Sequence, residues 1–221
     1  MEVAAGDRLS DLTLETFTSL LASEAAVPGG GSASAVAGAL GSALIAMVAA
    51  LSRNRPKYER YRETLERVEQ AAENGRQRFL ALADEDAVAY GRFMEARRLP
   101  RDTEAQATAR DAAVDEAARA SIAAPLAIVR LCEQVVVEAQ ALAGRSNLNA
   151  ASDLEVGTLL LEAAARGAAA NVLINVPALS DAAFGGAATA EADGLVRSIQ
   201  QMAERVRETV AGGDLRDPEE A

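Results

Sequence analysis

The sequence predicts an all-α fold: a single-domain multi-helix bundle with one long central amphipathic helix and one buried helix rich in Ala and Gly. Three observations point there. Half of the 221 residues are hydrophobic but only 3% are aromatic, so alanine supplies much of the apolar count. Alanine is the best helix former and lets helices approach closely. Apolar residues recur at three- and four-residue spacing over long stretches. Gly and Pro fall in a few clusters, not at the regular short intervals of a β-sandwich. With no internal repeat and no linker, one domain of six to eight helices is expected over residues 1–211. Residues 212–221 carry no apolar periodicity and are expected to be an acidic, disordered tail.

The elements follow in order. Leu12, Leu14, Phe17, Leu20 and Leu21 fit a short helix with Thr13 as its cap. From Ala25 to Ser52 the chain carries no charge. That stretch opens with Pro28-Gly29-Gly30-Gly31-Ser32 and continues as a helix from Ala33 to about Leu51. It is apolar all round, the mark of a helix enclosed by neighbours. It is also long enough to span a bilayer, but its Ala, Gly and Ser content and the charged amphipathic helices after it favour a buried central helix. Pro56 suits the first turn of the next helix, from about Lys57 to Arg97. Leu65, Val68, Ala72, Phe79, Leu82, Tyr90 and Phe93 form one stripe along it, and Pro100 closes it. Asp102 to Ala143 reads as one or two helices, broken or kinked at Pro125. A polar loop, Gly144 to Asn149, precedes a helix reaching Asn175, for which Ser152 and Glu155 have capping-box spacing. After Pro177 a last helix starts at Asp181 or Thr189 and ends near Val210.

Composition removes several function classes. The formal charge is −11 and the pI about 4.6, with no basic stripe, so nucleic acid is set aside as a partner. The single cysteine, Cys132, permits no intrachain disulfide and reads as a small core residue. There is no histidine. Ser-His-Asp and Cys-His catalysis, HExxH zinc sites and His-bearing di-iron sites are thereby excluded, and no metal site is expected. Acid–base chemistry falls to Asp, Glu, Lys, Tyr or Cys. No basic region followed by an apolar run opens the chain, so a cytoplasmic protein without signal peptide or membrane partner is expected.

Four features are candidates for function. The three glycines after Pro28 let backbone approach a ligand closely, and the helix they open presents unpaired N–H groups. The same segment also reads as a plain turn with Ser32 as the N-cap. Asp86 falls on the apolar stripe with Phe79, Leu82, Tyr90 and Phe93, whereas Asp84 points away and Glu85 lies on the opposite flank. A carboxylate on a buried face needs a partner or a raised pKa, which makes it a candidate acid/base or a buried ion pair. Asn171 and Asn175 lie one turn apart on the small-residue face of Leu160, Ala164 and Gly167. They suit a heterocycle's donor and acceptor edges or a tie between helices. Arg53, Arg55 and Lys57 cluster after the uncharged helix, suited to a carboxylate tail or to a solvated loop. Asn147 and Asn149 fit turn positions, and Asp153 fits a helix N-terminus.

These pieces in this order resemble the cyclodeaminase/cyclohydrolase family of folate enzymes. The resemblance rests on Pro28 to Ser32, the helix ending in Met47-Val48, Lys57-Tyr58, Asp84 to Tyr90, Arg98-Leu99-Pro100, Asn147 to Asp153, and Asn171-Val172-Leu173-Ile174-Asn175. It spans about Leu9 to Val210 and implies an all-helical homodimer with a folate cleft near the subunit interface. It places the catalytic aspartate in Asp84–Tyr90, where the stripe selects Asp86. It implies folate contacts from Pro28, Gly29, Gly30, Gly31, Ser32, Lys57, Tyr58, Tyr90, Asn147, Asn149, Asp153, Asn171 and Asn175. No cofactor is implied beyond a tetrahydrofolate substrate. The implied reaction is cyclodeamination of 5-formiminotetrahydrofolate to the 5,10-methenyl compound plus ammonia, or hydrolysis of 5,10-methenyltetrahydrofolate. A non-catalytic folate- or small-ligand-binding protein of the same fold is the alternative.

Overall fold

A computed structural model describes residues 8–218. Among them every regular element is helical. Six α-helices follow one another: α1 Leu14–Leu21, α2 Gly30–Arg53, α3 Arg62–Arg97, α4 Glu104–Leu142, α5 Ala151–Asn175 and α6 Ala182–Gly212. A 3₁₀ turn at Leu9–Asp11 precedes them, and three more 3₁₀ segments lie between them, at Pro56–Tyr61, Leu148–Ala150 and Val176–Ala178. Helices α2, α3, α4 and α5 form a closed ring of neighbours, and α6 lies across α4 and α5. The core is filled from all five, with Ile45, Leu65, Phe79, Leu82, Ile122, Ile128, Leu154, Leu161 and Ile199 fully buried. Cys132 is one of these buried residues, and burial pushes its thiol far above the ordinary value, which leaves it a packing residue.

Small residues set the spacing of α2. A side chain at Gly38 would meet the Phe79 ring of α3 at 2.6 Å, and one at Gly41 would meet the Gly157 carbonyl of α5 at 2.7 Å. The contacts Gly30–Asn171, Ser34–Gly167 and Gly41–Gly157 show that α2 and α5 run antiparallel in close register. Burial of α2 is one-sided. Ala35, Ala39, Ile45, Val48 and Ala49 are enclosed, but Leu40, Met47 and Leu51 are exposed. The expectation that neighbours enclose this helix all round therefore holds for one face only, because α3 and α5 flank it and no element among the described residues covers its outer side. By length and composition three helical stretches could cross a membrane: Gly30–Arg53, Glu104–Leu142 and Leu148–Ala178.

Several boundaries differ from the sequence-based expectation, each for a local reason. Pro56 opens a 3₁₀ turn instead of the long helix, and Lys57 lies in that turn, so α3 begins at Arg62. Helix α4 runs unbroken through Pro125 for 39 residues, with buried residues on both sides of the proline and α3, α5 and α6 packed against it. Its start is fixed by a capping box between Thr103 and Gln106. The capping box expected at Ser152 does not form. The Leu148–Ala150 turn feeds directly into α5, so Ser152 is already inside the helix. Asp181 is the start of α6, accepting a hydrogen bond from the Phe184 N–H at 3.0 Å.

The segment after α6 also differs from the expected disordered tail. Gly213 reverses the chain in the left-handed region at φ 71°. Arg216 N–H then donates to the Gly144 carbonyl at 2.8 Å, Tyr61 Oη donates to the Arg216 carbonyl at 2.5 Å, and Arg145 donates to the Asp217 carbonyl at 2.6 Å. Backbone hydrogen bonds, invisible to composition, tie this acidic stretch down. Residues 219–221 of the predicted tail lie outside the described residues.

Two glycine substitutions separate close packing from helix propensity. Gly41→Ala should destabilise the fold by about 1–3 kcal/mol, because backbone must move to admit the methyl group. Gly186→Ala, where nothing lies within 4 Å, should stabilise α6 by up to about 1 kcal/mol. Urea unfolding of the two variants beside the parent checks both signs.

Candidate active site

The glycine turn brings backbone to a carboxylate. Gly29 caps α2 without a side-chain hydrogen bond, and in the first turn the Ser32 N–H is taken by the Asp86 carboxylate. Val27–Pro28 is a cis peptide, and Pro28 is buried behind the turn. Asp86, from the middle of α3, lies against this helix start. A Cβ at Gly31 would sit 2.2 Å from Asp86 Oδ1 and 2.5 Å from its Cγ, so only glycine leaves room for the carboxylate. Ser32 is fully buried and is not the N-cap. It stands one turn position inside α2, where its hydroxyl lies 2.9 Å from Asp86 Oδ2 and 3.2 Å from the Ala83 carbonyl, donating to either. Ser32 thus holds Asp86 and is shielded from direct contact with a ligand.

Asp86 forms one wall of a cleft of ≈ 290 Å³. The remaining walls are Ala26, Val27 and Gly29 to Gly31 from the turn, Tyr90 from α3, Ser121 from α4, and Asn171, Ile174 and Asn175 from α5. Both asparagine amides are oriented by backbone carbonyls. Asn171 Nδ2 donates to its own Gly167 carbonyl at 2.9 Å, and Asn175 Nδ2 donates to the Ser121 carbonyl at 2.8 Å. Each side-chain oxygen is left as an acceptor, since an amide has donors only on nitrogen. The Ser121 carbonyl is available because of Pro125. Proline four residues on has no N–H to donate to it, and Asn175 takes the vacant place. The proline that sequence alone marks as a break therefore helps build the cleft.

The electrostatics single out Asp86 among its acidic neighbours. Asp84 accepts from Ser10 N–H, Ser10 Oγ and Arg8, and Glu85 pairs with Arg78. No Lys or Arg lines the Asp86 cleft. Burial raises its carboxyl above the ordinary 3.8, and the hydrogen bonds from the Ser32 side chain and backbone oppose that rise only in part. A carboxylate so placed can take a proton and return it. Among the described residues no group of three or more His, Cys, Asp or Glu side chains could hold a metal ion.

The structure divides the sequence-derived candidates into two sets. Gly29, Gly30, Gly31, Asp86, Tyr90, Asn171 and Asn175 line one cleft, with Pro28 and Ser32 directly behind it. Lys57, Tyr58, Asn147, Asn149 and Asp153 lie at the other end of α2, a helix of 24 residues, roughly 36 Å away. Tyr58 Oη accepts from the Leu148 N–H, Asn147 Oδ1 accepts from the Asn149 N–H, and the Asn147 N–H donates to Ser52 Oγ at 2.7 Å. Within one chain these groups tie a loop to α2 and do not reach Asp86. Ser121 and Ile174 belong to the cleft without having been singled out in the sequence. The signal for Ser121 was its place four residues before Pro125. A wider groove of ≈ 580 Å³ between α3 and α4, floored by Ala120, Ala123, Ala124 and Ala127, lies on the far flank of α3 and excludes Asp86.

Fold and site together define a helical protein with a cleft walled by one partly desolvated carboxylate against a helix start. Residues 13–194 match the formiminotransferase-cyclodeaminase family. The chain belongs to that family of folate one-carbon enzymes. A methenyltetrahydrofolate cyclohydrolase from Methylorubrum extorquens is 37% identical over 90% of this chain and 95% of its own length. The formimidoyltransferase-cyclodeaminase of Sus scrofa is 35% identical over 77% of this chain, which matches only 32% of the longer animal protein. The crystal structure of formiminotetrahydrofolate cyclodeaminase from Thermotoga maritima superposes with a TM-score of 0.83 at 28% identity, covering 93% of this chain and 98% of that one.

Two variants test the electrostatics. Ser32→Ala removes a donor that favours the charged carboxylate, so Asp86 should protonate at higher pH. The acidic limb of kcat/KM should move upward in pH, and an unmoved limb would show that Ser32 does not set this ionisation. For stability the sign is as follows. Because Asp86 is raised in the folded chain, its contribution is fully present below the ordinary 3.8 and is lost as pH rises through the folded value. Asp86→Asn carries no charge to desolvate, so its Tm should exceed that of the parent at neutral pH. The gap should close below about pH 4 in calorimetric scans.

Proposed function

We propose that this chain, working in the cytoplasm as a homodimer, hydrolyses 5,10-methenyltetrahydrofolate, with Asp86 as the group that moves protons. The single observation behind this is a carboxylate raised by burial, free of any cation, at the wall of an otherwise uncharged cleft. The likeness to the Methylorubrum cyclohydrolase along nearly the whole of both chains supports the choice of substrate.

Asp86 takes a proton from water as its oxygen bonds to the methenyl carbon of the cationic ring. The resulting carbinolamine collapses as the bond from that carbon to N5 breaks and the formyl group remains on N10. Asp86 returns its proton to N5, and the carbinolamine hydroxyl releases its own to solvent, so one proton is produced overall. The negative charge beside the substrate favours binding of the cationic ring. The acceptor oxygens of Asn171 and Asn175 suit the N–H edges of a pterin.

A second reading is favoured by the superposition on the Thermotoga cyclodeaminase. With 5-formiminotetrahydrofolate protonated on its formimino nitrogen, N10 attacks the formimino carbon, Asp86 accepts the N10 proton, and that proton passes to the departing amino group, which leaves as ammonia as the cationic methenyl ring forms. One carboxylate serves both reactions because each passes through a tetrahedral carbon between N5 and N10.

Paired assays on purified protein distinguish them: loss of methenyl absorbance marks hydrolysis, and ammonia release from the formimino compound marks cyclodeamination. Asp86→Asn should lower turnover in either assay by about 10²–10⁴-fold while folate binding stays measurable by calorimetry. Full activity in that variant would remove Asp86 from the reaction. Asn175→Ala should weaken folate binding about tenfold, since it removes an acceptor from the cleft and also strands the Ser121 carbonyl.

A further inference from the structure

Helix α3 continues past the site. The register that sets Gly31 against Asp86 puts the start of α2 there, so the stretch of α3 from Ala87 to Arg97 runs on beyond α2. Helix α4 supports this extension from one side. Ser121 Oγ donates to the Ala89 carbonyl at 3.4 Å, and the Arg110 guanidinium donates to the Arg97 carbonyl at 3.2 and 3.3 Å. At 100° per residue, Tyr90, Phe93 and Arg97 all fall within about 40° of Asp86. The face that carries the carboxylate into the cleft therefore goes on, past the Tyr90 wall, as a phenyl ring and then a guanidinium. Phe93 is half-buried and Arg97 is exposed.

Of the arginines at this end of α3, only Arg97 shares the Asp86 face. Arg92 and Arg98 turn away from it by about 120°. Arg92 lines the wider groove on the far flank of the helix. Arg97 folds back along the helix, as helical side chains do, and its guanidinium lies 5.9 Å from the centroid of the Phe93 ring. That ring is its only side-chain partner among the described residues. The cation thus stands about two turns beyond Asp86, roughly 10 Å along the axis.

This arrangement follows the order of groups in a folate. The chemistry takes place at N5 and N10. N10 carries a benzoyl ring that is amide-linked to glutamate, so a flat ring and then a carboxylate follow the reacting centre. Past Asp86 the protein offers an aromatic ring and then a cation, in the same order and over a similar distance. The cleft walls themselves supply no cation for the tail. We propose that the benzoylglutamate half of the folate lies along this extension of α3, its ring against Phe93 and its α-carboxylate on Arg97. A planar guanidinium suits a carboxylate because two parallel hydrogen bonds form at once. The inference rests on the folate reading of the Asp86 cleft.

A cycle between protein and substrate tests it. Each protein is assayed with the full folate and with the neutral primary amide that lacks the glutamate, in whichever of the two reactions the parent catalyses. In the parent, loss of the glutamate should raise KM about three- to tenfold. Arg97→Ala should raise KM for the full folate by the same factor and leave KM for the amide at the parent value, with the loss in KM and not in kcat. Arg97 is exposed, so the substitution leaves the core intact. Arg97→Lys should recover part of the loss, because a point charge replaces the fork. Arg92→Ala makes the same change in net charge on the other flank and should alter neither KM. Phe93→Leu should raise KM for both compounds alike, since both keep the benzoyl ring; unchanged values overturn the placement of the ring. In Arg97→Ala, equal losses on the two compounds, or a preference for the glutamate that survives, overturn the proposal. So does a parent that uses both compounds with one KM. A parent inactive on both the methenyl and the formimino folate would instead sink the functional reading, which keeps the two failures apart.

Discussion

The close antiparallel approach of α2 to α3 is the constraint on which the rest depends. Three contacts fix one register: Ser42 against Gly75, Gly38 against the Phe79 ring, and Gly31 against the Asp86 carboxylate. Four residues back along α2 match four forward along α3, and seven back match seven forward. The packing that buries Phe79 therefore also carries Asp86 to the start of α2. No separate device is needed to place the carboxylate, because the stripe that forms the core continues directly into the site. The same helix approaches α5 through Gly41 and Gly157, and that register brings Asn171 to Gly30.

Burial and hydrogen bonding then act against each other on Asp86. Desolvation disfavours its charge, while Ser32 favours it through side chain and backbone. The outcome is a carboxyl raised above its ordinary value yet held in one orientation. Neighbouring acids follow the opposite course. Asp84 is fixed by Arg8 and Ser10, and Glu85 by Arg78, which keeps those cations on the other flank of α3 and leaves the cleft uncharged apart from Asp86. Segregation of this sort leaves one cleft carboxylate without a cation beside it in a chain rich in acidic residues.

Pro125 shows how a local penalty becomes part of a site. Within α4 it leaves the Ser121 carbonyl without its helical donor, and Asn175 of α5 fills the gap. The same hydrogen bond orients the Asn175 amide, so its oxygen is offered to the cleft. The stability of the bundle and the polarity of the binding surface are thus joined in one contact.

Helical periodicity and small-residue content were enough to determine the all-α fold, the long central helix and the inward position of Asp86. Each follows from the 3.6-residue repeat within one segment. The sequence motifs likewise pointed to the glycine turn and to the two asparagines. Chain ends and caps were less legible. Ser152 and Lys57 were displaced by 3₁₀ turns, and the acidic segment through Asp217 was tied down by backbone hydrogen bonds that composition does not record. Which candidates share a site was decided only by the tertiary structure. Residues far apart in sequence, such as Gly31, Asp86, Ser121 and Asn175, meet because four helices pack in one register. Lys57, Tyr58, Asn147, Asn149 and Asp153 part from them because α2 is a rigid rod of 24 residues, with the turn at one end and those groups at the other.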